Sequence, residues 1–264
     1  MKLLIRVRYD GSFFNGSQVQ PGLPTVQGTL CGAAGEIFGF PCSVTGCSRT
    51  DAGVHAYCYC AAVSPENENG PDDWCPVPEA KIGRAFNSKL PPSIAVTGAS
   101  FVPDSFHPRY DVTSKEYVYV LSDSAVRDPF LSGRAWQTGR RVSESGFDKM
   151  KNASSCFIGK HDFRSFMASG SDVSDTVRDV KTLNVVRSPD GLIKISVRAD
   201  GFLYNMVRII VGTLLDVGYG RIDPSRVPGI IESRDRSLAG QTAPAEGLYL
   251  SDVEYNVPIS WKFD

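Results

Sequence analysis

The stretch Gly46-Cys47-Ser48-Arg49-Thr50-Asp51-Ala52-Gly53-Val54-His55-Ala56 packs an arginine, an aspartate and a histidine between small residues. The short apolar run Pro41 to Thr45 leads into it, and Tyr57 to Val63 leads out. That is the profile of a loop held between two strands, with ionisable side chains at its tip. Loops on rigid scaffolds are where chemistry concentrates. A tight turn with a surface ion pair is the plainer alternative.

On the N-terminal side, residues 2–9 alternate, with Leu3, Ile5, Val7 and Tyr9 against Leu4, Arg6 and Arg8, which predicts a strand. Gly11, Gly16 and Pro21 break the segment from Tyr9 to Pro21, whose amides are available to a polar ligand. Thr25 has the character of an N-cap for a helix running to about Phe38. Gly28, Gly32 and Gly35 weigh against that helix, each costing about 1 kcal/mol relative to Ala.

On the C-terminal side, residues 64–77 read as a surface connection and Pro78 to Leu90 as a helix stopped by Leu90-Pro91-Pro92. Ile94 to Val102 reads as a strand. The second half repeats this grammar more loosely. Lys115 to Leu121 is a strand, and Ser143 opens a helix to about Cys156. Strands Thr176–Ser188 and Leu192–Ala199 flank the turn Ser188-Pro189-Asp190-Gly191. Phe202 to Leu215 has helical spacing, Pro224 to Arg234 is a short helix, and Glu246 to Tyr255 a last strand. The expected architecture is α+β. It comprises two similar subdomains, 1–112 carrying the loop and 113–264, with mixed, mainly antiparallel sheets flanked by helices and an active-site cleft between them.

The chain has 264 residues, 42% of them apolar, enough for a sizeable core. A formal charge of −1 neither announces nor excludes a nucleic-acid partner. The seven cysteines, at 31, 42, 47, 58, 60, 75 and 156, contain no CxxC pair, so a zinc site of the usual spacing is not expected. Cys58 and Cys60 share one side of a strand as small buried thiols. Free thiols in this number fit a reducing compartment. The segment Met1 to Arg8 is too short and too charged for a signal peptide, and no apolar run approaches the ~20 residues of a membrane span. A soluble, cytoplasmic protein without membrane attachment is expected.

Asp51 is the first candidate for chemistry, since a carboxylate can serve as nucleophile, base or metal ligand. A neighbouring arginine would keep it ionised. Arg49 is close in sequence. Arg208, inside the apolar run Tyr204 to Gly212, is expensive there unless paired, or else lies on the polar face of an amphipathic helix. His55 could shuttle protons or simply hold structure. Tyr117 is either a core residue or a ring and hydroxyl offered to a base. Arg134, Arg140 and Arg141 with Trp136 suit phosphate contact and stacking, or solvated loop charges. No P-loop and no GxGxxG following a strand is present.

Arg49-Thr50-Asp51-Ala52-Gly53-Val54-His55-Ala56 resembles the signature of the tRNA pseudouridine synthase A family. Five further blocks resemble that family in order. They are Tyr9-Asp10-Gly11-Ser12 with Phe14, Gly16 and Gln18-Val19-Gln20; Asn87 with Leu90-Pro91 and Ile94-Ala95-Val96; Phe106-His107 with Arg109, then Lys115 to Tyr119; Met206-Val207-Arg208 with Val211-Gly212; and Ala245 to Leu250. The resemblance implies isomerisation of uridine to pseudouridine at positions 38, 39 and 40 of the tRNA anticodon stem-loop. It implies Asp51 as nucleophile, Tyr117 against the target base, and Arg208 paired with the aspartate. Arg49, His55 and Arg109 fall among its substrate-binding positions. It further implies base flipping, no metal or organic cofactor, and a homodimer bridged by tRNA. Two departures stand out: Ser17 where the family commonly has tryptophan, and Cys58-Tyr59 in place of Gly-Gln. Two other functions remain open on the residues: a tRNA-binding chaperone, and a hydrolase with an aspartate nucleophile.

Overall fold

The computed structural model describes residues 1–66, 74–170 and 173–262. Residues 67–73 of the expected surface connection 64–77 therefore lie outside the described residues. Two contact-dense units are present, Met1–Thr113 with Leu250–Asp264, and Ser114–Tyr249. The protein is α+β, its strands mainly antiparallel and flanked by helices in each unit.

In the first unit, β1 (Lys2–Tyr9) is buried at Leu3, Leu4, Ile5, Val7 and Tyr9. The burial of Leu4 beside Leu3 and Ile5 shows that both faces are covered there, so the expected alternation gives way to a central strand. The helix α1 (Val26–Phe38) begins as expected: the Thr25 hydroxyl accepts the Gly28 N–H at 3.2 Å, capping an orphan donor. Its glycines are tolerated because Val26, Leu30, Ala33 and Ala34 are buried, and burial outweighs propensity. Strands β2 (Cys42–Gly46) and β3 (His55–Pro65) pair antiparallel from Cys42↔Pro65 to Gly46↔Ala61.

The expected helix Pro78–Leu90 is shorter. A 3₁₀ turn, Glu79–Lys81, leads into α2 (Ile82–Asn87), which buries Ile82 and Phe86. Its last residue, Asn87, ties the helix end to β4 (Ile94–Val102). Asn87 Nδ2 donates to Val96 O at 2.9 Å, and Val96 N–H donates to Asn87 Oδ1 at 2.7 Å. Strand β1 runs between β4 and β3, antiparallel to both.

The second unit carries β5 (Val112–Ser122), β6 (Trp136–Gln137), α3 (Glu144–Ser154), β7 (Gly159–Asp162), β8 (Val177–Arg187) and β9 (Ile193–Ala199). Its strand order is β5-β9-β8-β7, all antiparallel, with β6 parallel to β5. The β8–β9 hairpin turns at the expected Ser188–Gly191, with Gly191 at φ 83° and Ser188 N–H donating to Leu192 O at 2.8 Å.

The core helix α4 (Met206–Gly218) starts four residues later than its apolar spacing predicts. Phe202 instead lies edge-on to Tyr117, ring centroids 5.0 Å apart, and Asn205 at φ 60° turns the chain into the helix. Helix α5 (Val227–Ser233) follows a 3₁₀ turn, Pro224–Arg226. Another 3₁₀ turn, Ala245–Gly247, replaces the start expected for the last strand, β10 (Leu248–Tyr255), which lies beside β3. Among the described residues no helix is long and apolar enough to cross a membrane.

Candidate active site

The loop Cys47–Val54 joins β2 to β3, as its composition predicts. Its base is fixed by the ladder: Cys47 N–H donates to Cys60 O at 2.8 Å and Cys60 N–H to Cys47 Sγ at 3.4 Å. Cys47, Cys58 and Cys60 are buried cysteines. Asp51 is half-buried, and its carbonyl accepts Val54 N–H at 3.2 Å, closing the turn.

The loop leans on the segment after β1. Thr50 is buried, and its three polar groups are all engaged. Its N–H donates to Ser17 Oγ at 2.9 Å, its C=O accepts Ser17 N–H at 3.0 Å, and its Oγ1 lies 2.8 Å from Tyr9 Oη. Close approach dictates two glycines here. A Cβ on Gly16, at φ 86°, would lie 2.9 Å from Thr50 O, and one on Gly11 would press into the Val54 carbonyl. Ser17 and Tyr59, from the two departures from the family pattern, sit beside this contact. Ser17 is 2% exposed, and Tyr59 is buried edge-on to Tyr9 at 5.6 Å.

His55 is 2% exposed, and its Nδ1 accepts Gly11 N–H at 3.0 Å, with Asp10 Oδ1 at 3.3 Å. His55 thus ties the loop to the Gly11 turn. Arg49 is exposed. Arg109 is half-buried in a separate turn of the same unit, where its N–H donates to His107 Nδ1 at 3.2 Å. Burial, with Lys2 and Arg109 nearby, holds the His107 imidazole below its ordinary pKa.

Tyr117 and Arg208 belong to the second unit. Tyr117 is buried on β5 opposite Val197 of β9, its ring braced by Phe202. Arg208 stands in the first turn of α4 and is half-buried. Its Nε donates to Ala243 O and its NH1 to Asn205 Oδ1, both at 2.7 Å, while Ala243 N–H donates to Arg208 O at 3.1 Å. Burial pushes the nearby Tyr119 phenol up, and its hydroxyl donates to Pro244 O at 2.7 Å.

The segment 239–243 that grips Arg208 is itself gripped. Arg236 donates to Ala239 O, Gly240 O and Thr242 Oγ1 at 3.4, 2.9 and 3.1 Å, and Gly240 N–H donates to Thr213 Oγ1 at 2.9 Å. Nothing in the local pattern singles out Ala243, Thr50 or Tyr9 for these roles, because each depends on a partner elsewhere in the fold; Arg236 holds a loop only three to six residues further on, but no periodicity marks it. Ser17 stands out only as a departure from the family pattern.

Trp136 of the basic stretch lies edge-on to Tyr119 at 6.4 Å, so its ring packs inward. Of that stretch's arginines, Arg140 lies over the Tyr219 ring, 4.4 Å from the centroid, which Arg221 approaches at 5.4 Å from elsewhere in the chain. Among the described residues no group of three or more His, Cys, Asp or Glu side chains could hold a metal ion.

A family profile described as tRNA pseudouridine synthase matches residues 153–256. The chain is 38% identical over 254 residues to the tRNA pseudouridine synthase A of Ruminiclostridium cellulolyticum, covering 96% of this chain and 99% of that one. It is 39% identical over 258 residues to the protein of that name from Bacillus subtilis, covering 97% and 100%. Against that from a Thermoanaerobacter species it is 40% identical over 253 residues, covering 96% and 99%. A chain of a solved Cbf5-Nop10-Gar1 complex aligns with 92% of this chain and 50% of its own length, at 13% identity and a TM-score of 0.38, too low to carry an argument.

Proposed function

The chain belongs to the tRNA pseudouridine synthase A family, and from that premise we propose that it isomerises uridines 38, 39 and 40 of the tRNA anticodon stem-loop, with Asp51 as nucleophile. The observation that carries the reading is the anchoring of the Asp51 loop. The residue before the carboxylate has its N–H, C=O and hydroxyl all engaged, which is how a reacting group is pre-organised.

The reaction breaks N1–C1′, turns the uracil and joins C5 to C1′; C5 gives up its hydrogen and N1 gains one. The target lies in a structured stem, so the nucleotide is extruded first, at a cost of a few kcal/mol. An ionised Asp51 then attacks the substrate covalently or abstracts a sugar proton to give a glycal. Arg208, pre-set by Ala243 and Asn205, is the cation proposed to keep that carboxylate ionised. Tyr117 offers its ring and hydroxyl to the base. Arg49, His55 and Arg109 are proposed on the substrate-binding side, His55 by shaping the Gly11 turn. Lys and Arg contacts to phosphates position the stem, so choice of substrate rests on RNA shape. The working unit is proposed to be a homodimer in the cytoplasm.

The test incubates the protein with unmodified tRNA and maps pseudouridine. Wild type should modify positions 38–40, and Asp51→Asn should abolish product while tRNA affinity stays within about threefold. Turnover by Asp51→Asn would remove the nucleophile assignment, and product elsewhere in the tRNA would remove the stem-loop assignment.

A further inference from the structure

We infer that Ser17 is a positioning residue for Asp51, acting through Thr50. The inference rests on Asp51 being the nucleophile. The Thr50 carbonyl and the Asp51 nitrogen belong to one peptide plane. Ser17 N–H donates to that carbonyl at 3.0 Å, while Thr50 N–H, in the preceding plane, donates to Ser17 Oγ at 2.9 Å. One residue thereby holds the peptide planes on both sides of the Thr50 Cα. With both planes held, φ and ψ of Thr50 are set, and so is the direction in which the chain carries Asp51.

The reference point for this grip is a helix. Ser17 C=O accepts Gln27 N–H at 2.9 Å and Gly16 C=O accepts Val26 N–H at 3.2 Å, both from the first turn of α1. The Tyr9 hydroxyl, 2.8 Å from Thr50 Oγ1, adds a third hold from β1. Asp51 is thus referenced to a strand and a helix as well as to its own loop.

Only one of the two Ser17 bonds depends on its side chain. Alanine keeps the N–H bond to Thr50 O and removes the acceptor for Thr50 N–H. At 2% exposure, water has little access to replace that acceptor. The peptide before Thr50 then turns toward another partner and takes Asp51 with it. Displacements of about 1 Å in a reacting constellation cost up to roughly 100-fold in rate.

The experiment measures single-turnover pseudouridine formation by the full chain on unmodified tRNA at saturating enzyme, together with tRNA Kd and the urea midpoint. Ser17→Ala should lower the single-turnover rate by roughly tenfold with Kd within about twofold. Ser17→Thr, which keeps the Oγ, should recover the rate to within about threefold. A Ser17→Ala enzyme with a wild-type rate, whatever its urea midpoint, overturns the inference, as does a loss confined to Kd. If Ser17→Ala does not fold, Ser17→Cys, which puts a weak acceptor in the place of the Oγ, carries the test: a slower chemical step at unchanged Kd supports the grip on Thr50, and a wild-type rate overturns it. Asp51→Asn separates the two levels. An active Asp51→Asn removes the nucleophile reading and this inference with it. An inactive Asp51→Asn beside a fully active Ser17→Ala removes the inference alone.

Discussion

Arg236→Met tests whether the grip on Arg208 is built in two stages. The substitution keeps the length and apolar stem of the side chain and removes the guanidinium. Three bonds are lost, of which the 3.4 Å contact to Ala239 O counts for little and those to Gly240 O and Thr242 Oγ1 at 2.9 and 3.1 Å are well formed. Bonds from a charged donor contribute about 1.5–3 kcal/mol each. Arg236 is half-buried, so water recovers part of that, leaving about 2 kcal/mol. The segment stays attached through Gly240 N–H to Thr213 Oγ1 and Ala243 N–H to Arg208 O. The expected result is therefore local opening rather than unfolding.

At 1.36 kcal/mol per decade, about 2 kcal/mol makes the open form roughly 30-fold more populated. Amide hydrogen exchange reads this directly. The Gly240 and Ala243 amides should exchange roughly 30-fold faster in Arg236→Met, with the β1 and β3 amides unchanged. The chemical rate should fall as well, because the carbonyl that orients Arg208 Nε spends more time displaced. Unchanged exchange at Gly240 and Ala243, or acceleration spread evenly over the chain, would show that Arg236 supports the fold at large and not this segment.

Two further outcomes follow from particular contacts. The Asp123 side chain is 1% exposed and accepts Arg187 NH1 and NH2 at 3.0 and 3.2 Å and Val142 N–H at 2.9 Å. Burial alone would raise this carboxyl, but the Arg187 bonds, the Val142 amide and the charges of Arg187 and Arg141 outweigh it and hold the pKa below its ordinary value. The stability it contributes is therefore present above the unfolded-state pKa of about 3.9 and is lost as pH falls further. Asp123→Asn should cost about 3 kcal/mol at neutral pH and flatten the fall in urea midpoint below about pH 4; an unchanged acid profile would contradict the assignment. Gly11→Ala drives a Cβ into the Val54 carbonyl and should lower activity at least tenfold. A fully active variant would mean that the loop's seat on the Gly11 turn is immaterial to chemistry.

What the chain declares locally was legible in it. The Thr25 cap, the Ser188–Gly191 turn and the loop between the apolar runs at 41–45 and 57–63 depend on residues a few positions apart, and each forms where the pattern places it. Family membership was legible too, because the matching blocks keep their order along the whole chain. Elements failed to follow their pattern where a distant partner competed. The expected helix 78–90 closes at Asn87, whose side chain bonds the Val96 backbone, and Phe202 leaves an apolar helical run to brace Tyr117.

The supports that join the candidate site to the rest of its unit are of this second kind. Ser17 meets Thr50 across 33 positions, Arg208 meets Ala243 across 35, and Trp136 turns to Tyr119 instead of outward. A hydrogen bond between residues so far apart leaves no periodicity for a sequence to display. It exists only once strands and helices have brought the two backbones together. The loop around Asp51 is thus identified by its own residues, while the rigidity with which it presents its carboxylate is a property of the tertiary structure.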